Sequence, residues 1–313
     1  EYFLGGRKVG PWFTALSAEA SDMSGYLLMG LPGLAYFTGA ADAGWTCIGL
    51  ALGTYFNWLL VAKRLRRYSE KANDSITLPG FYSNRFHDSK NIVSTVAAVI
   101  ILIFFCVYTG SCFVTCGKLF NTLFGMDYTV MMIFGAIIVF LYTMVGGYLS
   151  VVATDFVQGC LMFFALAVVV IGSITMAGGI ENTAAFLSDI PGYLSMVQTA
   201  TPEVDADGVQ YLLGSAPVFG IPAEYGLLTI ISTLSWGLGY FGMPQVLVRF
   251  MGIRNDSEIK TSRRIAIVWV VISMFCAIMI GIIGRYLFPA QYLTQSGAES
   301  ICLLYTSDAA DDK

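Results

Sequence analysis

The chain has 313 residues, of which 56% are apolar and only 12% are charged, and its formal net charge is −4. Soluble domains carry about 25% charged residues, so this composition excludes an ordinary soluble domain. The apolar residues form blocks long enough to cross a bilayer as helices, which takes about 20 residues each. The sequence therefore predicts an all-α, polytopic membrane protein. Its spans are predicted at residues 11–36, 43–62, 92–116, 128–149, 156–177, 225–248 and 265–287.

The basic residues indicate how the predicted spans are oriented. Most precede the first span, or lie between the second and third or between the sixth and seventh: Arg7, Lys8, Lys63, Arg64, Arg66, Arg67, Lys71, Arg85, Lys90, Arg249, Arg254, Lys260, Arg263 and Arg264. If the spans alternate, all of these fall on one side, which the positive-inside rule makes cytoplasmic. We therefore expect the chain to start in the cytoplasm and the segment 178–224, which has no Lys or Arg, to lie outside. The basic loops are topology signals and do not indicate nucleic-acid binding.

Cysteine and histidine suggest neither a zinc site nor a catalytic group. The seven cysteines contain no C-x-x-C pair, and the only histidine, His87, lies in a polar loop. Cysteine in an apolar span behaves as a small hydrophobe. We predict no enzyme activity and no cofactor.

The first predicted span carries acids where a bilayer disfavours them. Glu19 and Asp22 are three residues apart on one helix face and are followed by Ser24 and Gly25. An ionised side chain at this depth needs a partner, water or a cation. Small residues weaken the helix here, so an unwound segment could offer carbonyl oxygens to a hard cation and free N–H groups to a carboxylate. The alternative is a buried polar cluster that only ties helices together.

The sixth predicted span contains G-x-G-x-x-G, formed by Gly237, Gly239 and Gly242. This spacing matches a dinucleotide-binding turn, but that motif requires a strand before it and a helix after it, and no strand is predicted nearby. We interpret the glycines as an interruption of a membrane helix, with Trp236 and Tyr240 forming an aromatic wall. Close helix packing is the alternative explanation.

The two interrupted spans are the first and the sixth. Broken helices in corresponding positions of an inverted repeat indicate a substrate and ion site at the bilayer midplane. The fold is therefore predicted to be a LeuT-like inverted-repeat transporter core, truncated after the seventh core helix. Residues 1–301 would be this partial core. Residues 302–313 resemble a translated sequencing adapter and are predicted to be an artefact, with a genuine acidic tail as the alternative.

Several segments resemble the sodium/solute symporter family, and its proline branch in particular. They are "SAEASDMSG", "FNWLLVAKRLRRYSE", "ITLPGFYSNRF", "YTMVGGYLSVVATDFVQ" and "SWGLGYFGMPQVLVRFM". The resemblance implies sodium-coupled uptake of L-proline by alternating access in a bacterial plasma membrane, with sodium as coupling ion and no obligatory protein partner. Alternatives within the same class are another amino acid or a different small solute. An intramembrane protease or a transporter-derived sensor are alternatives of another class.

The resemblance also implies roles for individual residues. For sodium it implies the Asp22 carboxyl and the carbonyls of Ala20 and Met23, and for coupling it implies Arg7 and Asp155, although Asp155 could instead be a helix N-cap. The residues implied to contact the substrate are Ser24, Gly25, Tyr108, Trp236, Tyr240 and Pro244. Glu19 and Met243 depart from the family pattern, where glycine and glutamine are expected.

Overall fold

The computed structural model describes residues 2–291, 293, 294 and 298. Helices account for most of the described chain. In chain order they are α1 Pro11–Gly25, α2 Leu31–Thr38, α3 Ala40–Phe56, α4 Lys63–Lys71, α5 Leu78–Phe86, α6 Ile92–Phe124, α7 Tyr128–Met176, α8 Ile180–Ser188, α9 Leu227–Leu234, α10 Pro244–Gly252 and α11 Ile259–Leu287. The adapter-like segment, residues 302–313, lies outside the described residues.

Four helical stretches of the described chain are long and apolar enough to cross a membrane. They are Ala40–Lys71, Ile92–Phe124, Tyr128–Met176 and Asp256–Leu287, and shorter apolar helices cover Tyr26–Thr38 and Leu227–Gly242. The predicted span 128–149 lies within α7, and the predicted span 156–177 ends one residue beyond it. The span boundaries and the orientation of the chain stay predictions.

Local side-chain caps determine where several helices begin. The Thr77 hydroxyl accepts a hydrogen bond of 3.2 Å from the Gly80 N–H, and Pro79 occupies the first turn of α5. The Asp88 carboxylate accepts one of 2.6 Å from the Val93 N–H at the start of α6. Such caps satisfy the free N–H groups of a first helical turn.

A sharp bend interrupts α7 at Gly147, whose backbone angles are φ 57° and ψ −149°. This conformation is essentially restricted to glycine. The next residue, Tyr148, donates its N–H to the Tyr2 carbonyl at 2.9 Å, so the N-terminal segment supplies a main-chain partner at the bend. A Cβ on Gly147 would collide with Tyr2.

Residues 2–24, 52–161 and 238–269 form one compact unit. At its core the rings of Trp58 and Phe250 lie 4.4 Å apart between centroids. Lipid is as apolar as these side chains, so close packing and interhelical hydrogen bonds hold such helices together. One of these bonds joins the Trp269 indole N–H to the Gly159 carbonyl at 3.0 Å.

The second compact unit comprises residues 25–51, 162–237 and the described residues from 270 onward. Its segment 178–224 contains α8 and two small antiparallel pairs, in which β1 Gln198–Thr199 pairs with β4 Ala223–Glu224, and β2 Leu212–Leu213 pairs with β3 Ala216–Pro217. The Tyr193 side chain is fully buried and donates to the carbonyls of Ala35 and Tyr36, each at 2.9 Å. This tyrosine anchors the segment to α2.

Candidate functional site

The predicted interruption of the sixth span is confirmed. Helix α9 ends at Leu234 and continues as a 3₁₀ turn over Ser235–Gly242, after which Met243 is extended and α10 begins at Pro244. Proline fits the start of α10 because its missing N–H has no helical partner there. Helices flank the glycine triplet on both sides, which is not the strand–turn–helix context of a dinucleotide-binding motif.

The predicted interruption of the first span takes a different form. Unwinding at Ser24–Gly25 is wrong, because both residues lie within α1 and Gly25 has right-handed helical angles. A π-helical turn over Tyr26–Gly30 follows, and α2 starts at Leu31. Pro32 lacks the N–H that would continue the α-helical hydrogen bonds, and π turns commonly mark such a disturbance in a membrane helix.

The acid of the first span and the tyrosine of the sixth are neighbours. The Tyr240 hydroxyl is the hydrogen-bonding neighbour of the Asp22 carboxyl. The Tyr240 carbonyl accepts a bond of 2.9 Å from the buried Asn57 amide, which fixes the 3₁₀ turn to the second span. Tyr108 donates its hydroxyl to the Ser21 carbonyl at 3.2 Å. The structure thus brings three predicted site residues, Asp22, Tyr108 and Tyr240, to the same part of α1.

Glu19 lies next to this group and is 2% exposed. Its carboxyl accepts a hydrogen bond of 3.1 Å from the Trp58 indole N–H. It also lies close enough to Asp22 for the two carboxyls to interact electrostatically. A buried acid with an acidic neighbour favours a compensating cation nearby.

Asp155 takes part in a buried polar network. Its Oδ2 accepts hydrogen bonds from Ser17 Oγ at 2.7 Å and from Arg249 Nη2 at 2.8 Å, while Arg249 Nε donates to Ser17 Oγ at 3.0 Å. Ser21 Oγ lies 3.4 Å from the same carboxylate oxygen. Because every member bonds to another, the two charges compensate each other within the packed unit.

This network corrects two sequence interpretations. Asp155 lies well inside α7, so the N-cap alternative is wrong. Arg249, which was assigned to a basic cytoplasmic loop, is a buried residue of α10 and is 8% exposed. Its guanidinium also lies over the Tyr148 ring at 5.8 Å.

Arg7 connects the start of the chain to the end of α10. Its guanidinium donates to the Met251 carbonyl at 2.7 Å, to Asp74 Oδ1 at 2.8 Å, and to Ser69 Oγ and the Ser75 carbonyl at 3.1 Å each. Its backbone φ is 54°, which is uncommon for a residue with a side chain. These bonds hold the strained residue in place.

A second arginine binds the same helix end. Arg66 donates to the carbonyl of Ile253 at 2.7 Å and to that of Arg254 at 3.3 Å. The last carbonyls of a helix lack intrahelical partners and carry the negative end of its dipole. Arg7 and Arg66 therefore cap the carboxyl end of α10.

The remaining predicted site residues are placed separately. Ala20 and Met23 lie in α1, and Pro244 lines an apolar groove of about 500 Å³ together with Ile101. In the second unit, which begins at Gly25, the Trp236 ring packs edge-to-face on Tyr26 with centroids 5.1 Å apart.

Trp236 and Tyr240 are exposed to very different extents. Trp236 is 52% exposed, whereas Tyr240 is 7% exposed. Residues four apart share a face in an α-helix but not in a 3₁₀ turn, which has three residues per turn. The shared aromatic face expected from their spacing is therefore wrong.

Sequence reasoning missed Ser17, Trp58 and Arg249 as parts of the polar site. Ser17 and Ser21 are one helical turn apart, which indicates a polar stripe on one face of the first span. Arg249 directly follows the predicted sixth span. Its position in the sequence is therefore compatible with both a loop residue and a buried cation.

Long apolar helices joined by a buried polar network fit a multi-pass membrane protein. The sequence model of the Sodium:solute symporter family matches residues 2–308. This chain belongs to that family.

Two relatives and one solved structure specify the similarity further. The chain is 42% identical to the osmoregulated proline transporter OpuE of Bacillus subtilis (strain 168), over 91% of this chain and 53% of that protein. It is 40% identical to a sodium/proline symporter of Staphylococcus aureus, over 97% of this chain and 54% of that protein. A substrate-bound, outward-open structure of a Na⁺-coupled sialic acid symporter has the same fold, with a TM-score of 0.68, 15% identity, and coverage of 99% of this chain and 65% of that one. The chain spans about half the length of the curated relatives it matches.

Proposed function

We propose that the protein to which this chain belongs takes up L-proline with sodium, by alternating access across a bacterial plasma membrane. Family membership and the names of two relatives support this assignment. We further propose that the helices follow a LeuT-like inverted repeat, in which α1 with α2 and α9 with α10 are the two interrupted helices and α11 is the seventh core helix. This topology makes the start of the chain cytoplasmic.

The single observation that carries the proposal is the pairing of Asp22 with Tyr240. A carboxyl inside a bilayer requires a functional or structural partner. Here its neighbour is a tyrosine on the second interrupted helix, next to an extended break in the helical hydrogen bonding. Tyr108 contacts the same stretch of α1 through the Ser21 carbonyl.

We assign sodium to the Asp22 carboxylate and the carbonyl oxygens of Ala20 and Met23. Oxygen ligands suit a hard cation. Because these residues are helical, their carbonyls become available only if the hydrogen bonds of α1 open locally, and the adjacent π-helical turn makes this the weakest part of the span. Sodium binding would then be coupled to a change in backbone conformation.

We assign substrate contact to Ser24, Gly25, Tyr108, Trp236, Tyr240 and Pro244. Each of the aromatic rings can offer apolar surface to a pyrrolidine ring and a favourable face to a secondary ammonium group. Backbone N–H groups at Ser24 and Gly25 would bind the substrate carboxylate once α1 opens there.

Coupling is assigned to Arg7 and Asp155. Both form charged hydrogen bonds that involve α10, the helix that follows the second interruption: Arg7 through the Met251 carbonyl and Asp155 through Arg249. A conformational change that moves α10 must therefore carry these hydrogen-bond partners along or break the bonds. The membrane potential adds about 2.3 kcal/mol per charge per 100 mV to sodium-driven uptake.

The decisive experiment is uptake of radiolabelled L-proline by the full-length protein in proteoliposomes, with and without an inward sodium gradient. We expect sodium to stimulate uptake and Asp22→Asn to reduce it to the sodium-free level. Asp127→Asn is the matched control, since the Asp127 carboxylate caps the Val130 N–H at a helix start and asparagine keeps an acceptor. Unchanged sodium-dependent uptake in Asp22→Asn would overturn the site, and uptake of another solute but not proline would overturn the substrate.

A further inference from the structure

A second groove lies on the first compact unit, apart from the proposed transport residues. Its volume is about 400 Å³, and its lining is largely apolar. The apolar lining includes Leu60, Val61, Leu65, Leu78, Phe81 and Leu247. Leu60 is 43% exposed, so the groove opens to the surroundings of the protein.

Two guanidinium groups flank this groove. Arg64 is one of its lining residues, and the Arg85 guanidinium lies 5.0 Å from the centroid of the Tyr68 ring, which also lines it. Both arginines are exposed. Within the described part of the chain neither has a carboxylate partner, in contrast to Arg67, which pairs with Asp256.

The groove spans the edge of the predicted bilayer. Leu60 belongs to the predicted span 43–62, whereas Arg64 and Arg85 belong to the basic segment that follows. Helix α5 contributes Leu78 and Phe81 and also carries Phe86, which is 67% exposed. Exposed aromatic and basic residues side by side are typical of a membrane interface.

We propose that this groove binds an anionic phospholipid. One acyl chain lies along Leu60 and Leu247, and the headgroup phosphate sits between the guanidinium groups of Arg64 and Arg85. The charge complementarity is direct, because arginine is well suited to phosphate and these two guanidiniums are not neutralised by described acids. Apolar lining at membrane depth beside unpaired cations at headgroup depth matches a lipid better than a soluble anion, which would leave the lining unused.

The test is lipid retention by the full-length protein, measured by native mass spectrometry after extraction from nanodiscs of equal parts phosphatidylglycerol and phosphatidylcholine. We expect preferential retention of phosphatidylglycerol. The double variant Arg64→Gln, Arg85→Gln should lose affinity by about fivefold for each charge removed. The control Lys71→Gln, Arg264→Gln removes the same charge from two exposed positions outside the groove and should retain the lipid.

The outcomes separate this proposal from the transport assignment, because retention is measured without uptake. Equal retention of both lipids by the unmodified protein would overturn the proposal. So would a double variant that keeps phosphatidylglycerol, the result expected if a further segment of the longer protein fills the groove. Equal loss in the control pair would show a general charge effect and would overturn the specific site. A leucine-to-serine change, Leu60→Ser, should weaken retention of both lipids if the acyl chain lies where we place it.

Discussion

Arg249 donates a hydrogen bond of 2.8 Å to Asp155, and both side chains are about nine-tenths buried. Ser17 bonds to each of them, which joins α1, α7 and α10 through one polar centre. Charges at this depth are tolerated only as a compensated set. The pair therefore fixes the relative position of three helices within the unit.

Removing one partner of this pair should destabilise the protein strongly. We expect Arg249→Gln or Asp155→Asn to cost about 3–5 kcal/mol, because each leaves an unpaired charge in the packed interior. The double variant should recover part of this loss. Thermal unfolding of the purified full-length protein in detergent measures all three. Arg254→Gln removes the exposed partner of an ion pair with Glu258 and should change the melting temperature little. Additive losses in the double variant would contradict the pairing.

Tyr240→Phe should impair transport while leaving the fold intact. The ring remains, but the Asp22 carboxyl loses its neighbouring hydroxyl, and a hydrogen bond to a charged group contributes about 1.5–3 kcal/mol. We expect KM for proline and the sodium concentration for half-maximal uptake to rise by about tenfold or more on this basis. Tyr211→Phe is the control, since Tyr211 is 52% exposed in a loop. Wild-type kinetics in Tyr240→Phe would show that the hydroxyl has no role in the site.

Arg66→Gln should loosen the carboxyl end of α10. The Ile253 carbonyl belongs to a fully buried residue and would lose its donor, at a cost of about 1–3 kcal/mol. Hydrogen exchange of the full-length protein should show faster exchange over residues 249–254. Arg67→Gln is matched in charge and position along α4, but Arg67 is 56% exposed and pairs with the Asp256 carboxylate instead of a helix-end carbonyl. If the amides of residues 249–254 exchange at the same rate in both variants, Arg66 does not stabilise the end of α10.

Gly147→Ala should destabilise the bend in α7. Alanine cannot adopt φ 57° and ψ −149° without strain, and its Cβ would meet Tyr2, so we expect a cost of about 1–3 kcal/mol or more. Gly172→Ala provides a control of opposite sign, because this helical glycine has open space around it and alanine favours helices by about 1 kcal/mol. A melting temperature that does not fall in Gly147→Ala would contradict the strained backbone.

Local sequence chemistry predicted the interruption of the sixth span but not the shape of the first. Three glycines followed by Pro244 weaken a helix wherever they occur, so the 3₁₀ turn and the extended Met243 follow from composition. In the first span the acids and small residues predicted an interruption at Ser24 and Gly25. The N–H group that Pro32 lacks lies farther along the chain, and the π turn forms between Gly25 and Pro32. The position of this turn depends on how neighbouring helical turns share hydrogen bonds, which the local sequence does not give.

The polar network around Asp155 could be predicted only in part. The acid itself was identified from its resemblance to the family, but its partner Arg249 is 94 residues away in sequence. A basic residue at the edge of an apolar block can lie in a cytoplasmic loop, as the positive-inside rule predicts, or form a buried ion pair. The local sequence pattern is the same in both cases. Only the tertiary arrangement of α7 and α10 decides between the two.

The bond between Tyr2 and the bend in α7 has a consequence for biosynthesis. The Tyr2 hydroxyl also donates to the Met144 carbonyl, 142 residues along the chain, at 2.8 Å. At about 5–20 residues per second, the ribosome needs roughly 7–30 s to make the second partner after the first. During that interval the Tyr2 hydroxyl lacks this partner on α7. Slower translation between these two segments would therefore lengthen the time before the bend acquires this partner.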